Sequence, residues 1–157
     1  MAEPSLATVV AQSELFGGLA PDFVDFLTEH ARVRRLAKNE VLFHYGEKAT
    51  HFYLIVSGQI SIEVAAIEGP TLELQELGAG ATVGWSWLIA PHRWAFQARA
   101  MVPTELVEFD GEAVLARCES DPAFGYAVLK RFSTLMSERL QSARQRMMEE
   151  WSPPGFA

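Results

Sequence analysis

The stretch Leu54-Ile55-Val56-Ser57-Gly58-Gln59-Ile60-Ser61-Ile62 decides the fold. An apolar run stops at Ser57-Gly58, and beyond it Ile60, Ile62 and Val64 alternate with Ser61 and Glu63. Side chains two apart on a strand share a face, so the spacing predicts two strands joined by a glycine turn, each with one face buried and one wet. The same period continues outward. Val41 and Phe43 share a face upstream. Downstream, Leu72 and Leu74 alternate with Glu73 and Gln75, and Phe96, Ala98 and Ala100 alternate with Gln97 and Arg99. Gly46, Glu68-Gly69-Pro70, Gly78 to Gly80 and Pro103 punctuate these runs. Many short antiparallel strands with regular turns predict a mainly β sandwich, barrel or jelly roll over residues 32–109.

Both flanks switch to helical period. Ala20-Pro21-Asp22 reads as a helix start, and Phe23, Phe26, Leu27 and Ala31 follow at helical spacing. Ser13 to Leu19 reads as a short helix closed by Gly17-Gly18, which places the N-terminal helices over 13–31. After the strands, Asp110 can cap a helix from Gly111 to Glu119, and Asp121-Pro122 opens another that reaches about Glu150. Phe124, Val128, Phe132, Leu135, Met136, Leu140, Ala143 and Met147 form its apolar stripe. At 1.5 Å per residue this helix is roughly 40 Å long. Such a stripe packs across its own barrel or pairs with a copy of itself. The expectation is a homodimer centred on Phe132, Leu135, Met136, Leu140, Ala143 and Met147, because an exposed apolar patch of that size marks an interface and two-fold closure suits a self-complementary stripe. Residues 151–157 read as a tail.

The 157 residues suffice for one domain with a real core, and 49% hydrophobic against 21% charged residues is a globular composition. Thirteen Lys and Arg against twenty Asp and Glu leave a net charge of −7, which argues against the DNA backbone as the main partner. Lys130, Arg131, Arg139, Arg144 and Arg146 make the last helix locally basic, but they are mixed with the stripe and with Glu138, Glu149 and Glu150, so they read as a solvated face. Cys118 is the one cysteine. It excludes an intrachain disulfide, fits a reducing compartment and reads as a structural thiol. Met1-Ala2-Glu3-Pro4 lacks the start of a signal peptide, and the longest apolar run, Phe52 to Val56, is far short of the roughly 20 residues that cross a bilayer. A cytoplasmic protein that avoids the membrane is expected. His30, His44, His51 and His92 include no His-x-His pair, and no nucleophile elbow, P-loop or dinucleotide fingerprint occurs. No catalytic residue, metal ligand or cofactor is therefore assigned.

The order of helices, β strands and one long helix, with the Leu54–Ile62 hairpin, Gly46 before it and Leu77-Gly78-Ala79-Gly80-Ala81-Thr82-Val83-Gly84 after it, resembles the cyclic-nucleotide-binding domains of catabolite-activator and fumarate-nitrate-reductase-type regulators. The resemblance runs from about Leu15 to Glu150. It implies a β-roll, or double-stranded β-helix, a regulatory and non-enzymatic role, and a phosphate-binding cassette after Gly84. In such a cassette a short helix offers its N–H groups to the phosphate, an arginine binds it in a bidentate way and a glutamate holds the ribose. The family pattern is roughly Gly-Glu-Leu-Ala-Leu, a short loop, then Arg-Ala-Ala-Thr-Val-x-Ala. This chain reads Gly84-Trp85-Ser86-Trp87-Leu88-Ile89-Ala90-Pro91-His92-Arg93-Trp94-Ala95-Phe96-Gln97-Ala98-Arg99-Ala100. Aligned without a gap, the glutamate position falls on Trp85 and the arginine position on Trp94.

The ligand pocket is accordingly expected at Gly84, Trp85, Ser86, Trp87, Arg93, Trp94 and Ala95. Three readings of it stay open: the aromatic residues, with Phe96, plug the core; they line a pocket for a planar or apolar ligand; or a cyclic nucleotide binds through Arg93 and main-chain N–H groups. From other classes come a cupin-like metal-dependent enzyme on the same kind of barrel and a ligand-free domain that docks onto a protein partner. Family members that bind DNA carry a helix-turn-helix domain after the long helix, and this chain stops at Ala157, so direct DNA recognition is not expected.

Overall fold

A computed structural model describes residues 5–64 and 71–150. Met1 to Pro4, the expected turn at Glu68-Gly69-Pro70 and the tail 151–157 lie outside the described residues. The elements are α1 (Leu6–Gln12), α2 (Pro21–Glu29), β1 (Ala31–Leu36), β2 (Val41–Phe43), β3 (His51–Ser57), β4 (Ile60–Val64), β5 (Leu72–Leu77), β6 (Thr82–Val83), β7 (Gln97–Ala100), β8 (Thr104–Asp110), α3 (Gly111–Ser120) and α4 (Pro122–Glu150). Two antiparallel sheets face each other, ordered β1-β8-β3-β6 and β2-β7-β4-β5. This is the expected mainly β jelly roll with flanking helices.

The expected hairpin is not a paired one: its two strands, β3 and β4, lie in different sheets, and the glycine turn carries the chain from one sheet to the other. Its turn needs Gly58, whose φ is +104° and where a Cβ would collide with Thr104. Ile60 is fully buried and Ile62 partly so, as the alternation requires. The other face departs from expectation, because Ser61 and Glu63 are also buried. Arg99 on neighbouring β7 reaches Glu63 at 2.6 Å, Gln97 donates to it at 3.1 Å, and Ser61 donates to Glu63 and Glu73. Polar side chains that satisfy one another across strands cover each other instead of facing water.

The helix caps form as read. Asp110 accepts from the Ala113 N–H, and Asp121 accepts from the Phe124 N–H. The first helix differs: α1 spans Leu6–Gln12, capped by Ser5, and residues 13–18 make turns. The Ser13 hydroxyl donates to Val10 O and accepts from the Phe16 N–H, so local side-chain bonding ends the helix where one was expected to begin.

α4 splits the expected dimer stripe into two faces. Phe124, Val128 and Phe132 are fully buried, and Leu135 and Met136 pack against the same core. Phe132 meets Phe16, Phe52 and Trp87 edge-on. It is a core residue of its own protomer and is not on the surface expected for it. The reason is register: these residues share the face that Arg131, Arg139 and Arg146 also occupy. Those arginines are not simply solvated. Arg131 donates to Leu15 O and Gly17 O, Arg139 to Thr82 O and Arg146 to Leu74 O, which lays the helix along its barrel. Tyr126, Leu129, Leu140, Met147 and Met148 are exposed.

Candidate functional site

The segment after Gly84 keeps its place between β6 and β7 but forms no α-helix. Residues 86–91 are successive turns and bends, closed by Leu88 N–H to Trp85 O and His92 N–H to Ile89 O. A regular helix start that would aim a row of N–H groups at a phosphate is replaced by turns.

Trp94 enters the barrel from the far end of this segment. Its ring lies flat on Phe43, with centroids 3.7 Å apart and an interplanar angle of 8°. It passes against Gly84, where a Cβ would sit 2.6 Å from Trp94 Cη2. Gly84 is needed twice: its φ is +95°, and the indole fills the space of a side chain. Trp87 is also buried, but on the other side. It stacks on Phe52, meets Phe132 edge-on and lies against Gly111. Its Nε1–H has no hydrogen-bond partner among the described residues.

Between the β2-β7-β4-β5 sheet and α4 lies a cavity of about 220 Å³. Phe43, Ile62, Leu74, Val83, Trp94 and Phe96 form its barrel side, and Met136, Leu140 and Ala143 form its helix side. Gly84, Trp85 and Ser86 stand at its cassette edge, and Gln75 and Arg139 add polar groups. Four of the seven expected pocket residues therefore line it: Gly84, Trp85, Ser86 and Trp94. The other three do not. Trp87 belongs to the core cluster, Ala95 is exposed, and Arg93 is exposed with its guanidinium donating to Gly46 O at 2.9 Å. Main-chain pairing of residue 93 with Lys48 fixes this outward direction. Binding of a phosphate at Arg93 is thus not supported by its position.

Arg139 is the site residue that sequence reasoning missed. It sits seven positions after Phe132, two helical turns along the buried face, and that phase was the available signal. It lines this cavity and an adjoining one of about 290 Å³ near Leu15 and Thr82. Burial brings its pKa down to about 10, a shift that Glu138 opposes, so it remains a cation at neutral pH.

The histidines have other partners. His44 bonds Glu47, His92 Nδ1 lies 2.9 Å from Trp87 O, His30 packs on Phe26, and His51 contacts Thr50 and approaches Glu108. No three His, Cys, Asp or Glu side chains converge on one point among the described residues. Burial, then the charges of Glu119 and Asp121, push the Cys118 thiol up to about 11. No helix of the described residues is long and apolar enough to cross a membrane.

Comparison with known proteins agrees with this architecture. The "Cyclic AMP receptor protein" of Thermus thermophilus is 28% identical over 131 residues, which cover 83% of this chain and 59% of that protein. The chain therefore spans about three-fifths of that relative's length. The crystal structure of the Thermus thermophilus catabolite activator protein superposes with a TM-score of 0.68 at 27% identity, covering 85% of this chain and 61% of that one. A cyclic nucleotide-binding domain from Methylobacillus flagellatus superposes with a TM-score of 0.78 at 19% identity, over 96% of this chain and 84% of that one, which shows the shared fold. Residues 33–121 match the family model of the cyclic nucleotide-binding domain, and the chain belongs to that family.

Proposed function

We propose that this chain is a non-enzymatic regulatory or sensory domain that keeps the family's β-roll and has exchanged its nucleotide site for an apolar cavity. One observation carries the reading. The position that aligns with the phosphate-binding arginine is Trp94, stacked on Phe43 inside the barrel. A cyclic nucleotide placed there would lose a bidentate guanidinium contact, a loss of about 2–5 kcal/mol for a buried charge pair. It would also lose the ribose carboxylate, since Trp85 stands in that place. The cavity left open beside these rings supports a lining role for Trp85 and Trp94, with Trp87 as the plug of the neighbouring core.

The domain is further read as a cytoplasmic homodimer that pairs through the outward face of α4. The support is the run of exposed apolar side chains Tyr126, Leu129, Leu140, Met147 and Met148 along one side of that helix. With net charge −7 these residues offer no concentrated basic face for DNA. A metal-dependent activity is disfavoured by the partners that already occupy the histidines.

Thermal denaturation with cyclic AMP or cyclic GMP at 1 mM tests the reading. A ligand with a Kd near 10 µM stabilises by about 2.7 kcal/mol at that ratio, or about 5–10 °C in a domain of this size. The expected shift is under about 1 °C. A rise of several degrees overturns the proposal.

A further inference from the structure

The cavity contains one feature that its apolar lining does not explain. Arg139 lines it with a single hydrogen bond, from Nη2 to the carbonyl oxygen of Thr82. Among the described residues no carboxylate lies within ion-pair distance of this guanidinium, whereas Arg32, Arg34, Arg35, Arg99, Arg117 and Arg146 each have one. The nearest acidic influence is the neighbouring Glu138, an exposed side chain that lines the adjoining cavity with Glu14 and Arg139 but makes no ion pair with the guanidinium. A guanidinium carries five N–H donors and cannot shed its charge, so most of its bonding capacity is unspent. Arg139 is half-buried, and a partly desolvated cation without a counterion is a favourable place for an anion.

The rest of the lining fixes what can accompany that anion. Phe43, Ile62, Leu74, Trp85, Trp94 and Met136 present hydrocarbon and ring faces. Gln75 and Ser86 are the further polar side chains, too few to satisfy a ribose and a purine edge together. Size gives a second limit. A dry cavity of about 150 Å³ lined by Leu, Ile and Phe takes up benzene. At about 220 Å³ this one admits a ring or branched chain with a short polar arm.

We propose that the cavity binds a small apolar monoanion, a ring or branched-chain carboxylate, with its body against Phe43, Trp85 and Trp94 and its charge on Arg139. This deepens the reading of the site as an apolar ligand pocket and rests on it. Because Arg139 and Met136 lie on α4, ligand occupancy would tie that helix to the sheet and so report to whatever α4 contacts.

Titration of the full chain with 3-phenylpropionate and 3-phenylpropionamide, followed by calorimetry, tests the inference. The acid is expected to bind at least tenfold more tightly than the amide, the discrimination of a charge-assisted hydrogen bond. Arg139→Gln should lower the acid's affinity to that of the amide while leaving the amide's unchanged. Arg139→Lys, which keeps the charge, should retain part of the preference and serves if the first variant folds poorly. Equal affinity of acid and amide, unchanged acid binding by Arg139→Gln, or no binding of the acid at millimolar concentration each overturns the inference. Cyclic AMP is titrated alongside. Tight binding of cyclic AMP refutes the apolar-site reading itself, whereas failure of the acid with cyclic AMP also inert refutes the anion assignment alone.

Discussion

Substituting Gly84 by alanine tests how the cavity is built. The new Cβ would lie 2.6 Å from Cη2 and 2.7 Å from Cζ3 of Trp94, well inside contact distance. The backbone there has φ of +95°, which costs a non-glycine residue about 1–3 kcal/mol. Overpacking against a rigid ring adds about 1–3 kcal/mol, because Trp94 is held flat on Phe43 and cannot withdraw freely. Gly84→Ala should therefore destabilise by about 2–6 kcal/mol, or roughly 4–24 °C in melting temperature. Trp94→Ala alone should cost about 3–5 kcal/mol as a large-to-small core change. The two losses should not add. Removing the indole removes the clash, so the double variant should be about 1–3 kcal/mol more stable than the sum predicts. Urea denaturation of the four proteins gives the coupling energy directly. Additivity within about 0.5 kcal/mol would refute the claim that Gly84 is required to admit Trp94.

Three further outcomes are expected. Burial alone would raise the Glu108 carboxyl, but hydrogen bonds from Arg34 and Arg32 outweigh it and hold it below its ordinary value. Stability from this group is full above the unfolded value of about 4.3 and is lost as pH falls through the lower folded one. Melting temperature should drop below about pH 4, and Glu108→Gln should flatten that slope; identical acid slopes in the two proteins would contradict the assignment. Cys118, whose thiol is pushed up to about 11, should react with a disulfide reagent at pH 8 far more slowly in the native chain than in the urea-unfolded one, and equal rates would count against its burial. Met147→Glu, on the outward face of α4 and clear of the cavity, should convert a dimer to a monomer in light scattering. A wild-type chain already monomeric at tens of micromolar ends the dimer proposal.

Local period and caps made much of this fold readable. The alternation around Ser57-Gly58, Asp110 before α3 and Asp121-Pro122 before α4 each report a short-range preference that the tertiary structure does not override. What stayed hidden depends on partners distant in sequence. Ser61 and Glu63 read as wet because their alternation is polar, yet Arg99 covers Glu63 from a strand more than thirty residues away. Trp94 could have been plug or lining until Phe43, from β2, fixed its plane. Arg139 read as one of several helix cations, since charge alone does not tell an inward from an outward position. Its phase relative to Val128 and Phe132 carried that information, and only packing showed that the apolar stripe's inward half was already occupied by the barrel.

A cyclic-nucleotide-binding fold whose cavity carries Trp85 and Trp94 in place of the polar anchors should reject cyclic nucleotides. Isothermal calorimetry of the full chain against cyclic AMP and cyclic GMP measures this most directly. Without the bidentate guanidinium and the ribose carboxylate, no saturable heat tighter than about 1 mM is expected, which is a binding free energy weaker than about −4 kcal/mol. A one-site isotherm with a Kd in the low micromolar range would contradict this, because Trp94 and Trp85 stand at the positions that align with the phosphate-binding arginine and the ribose glutamate.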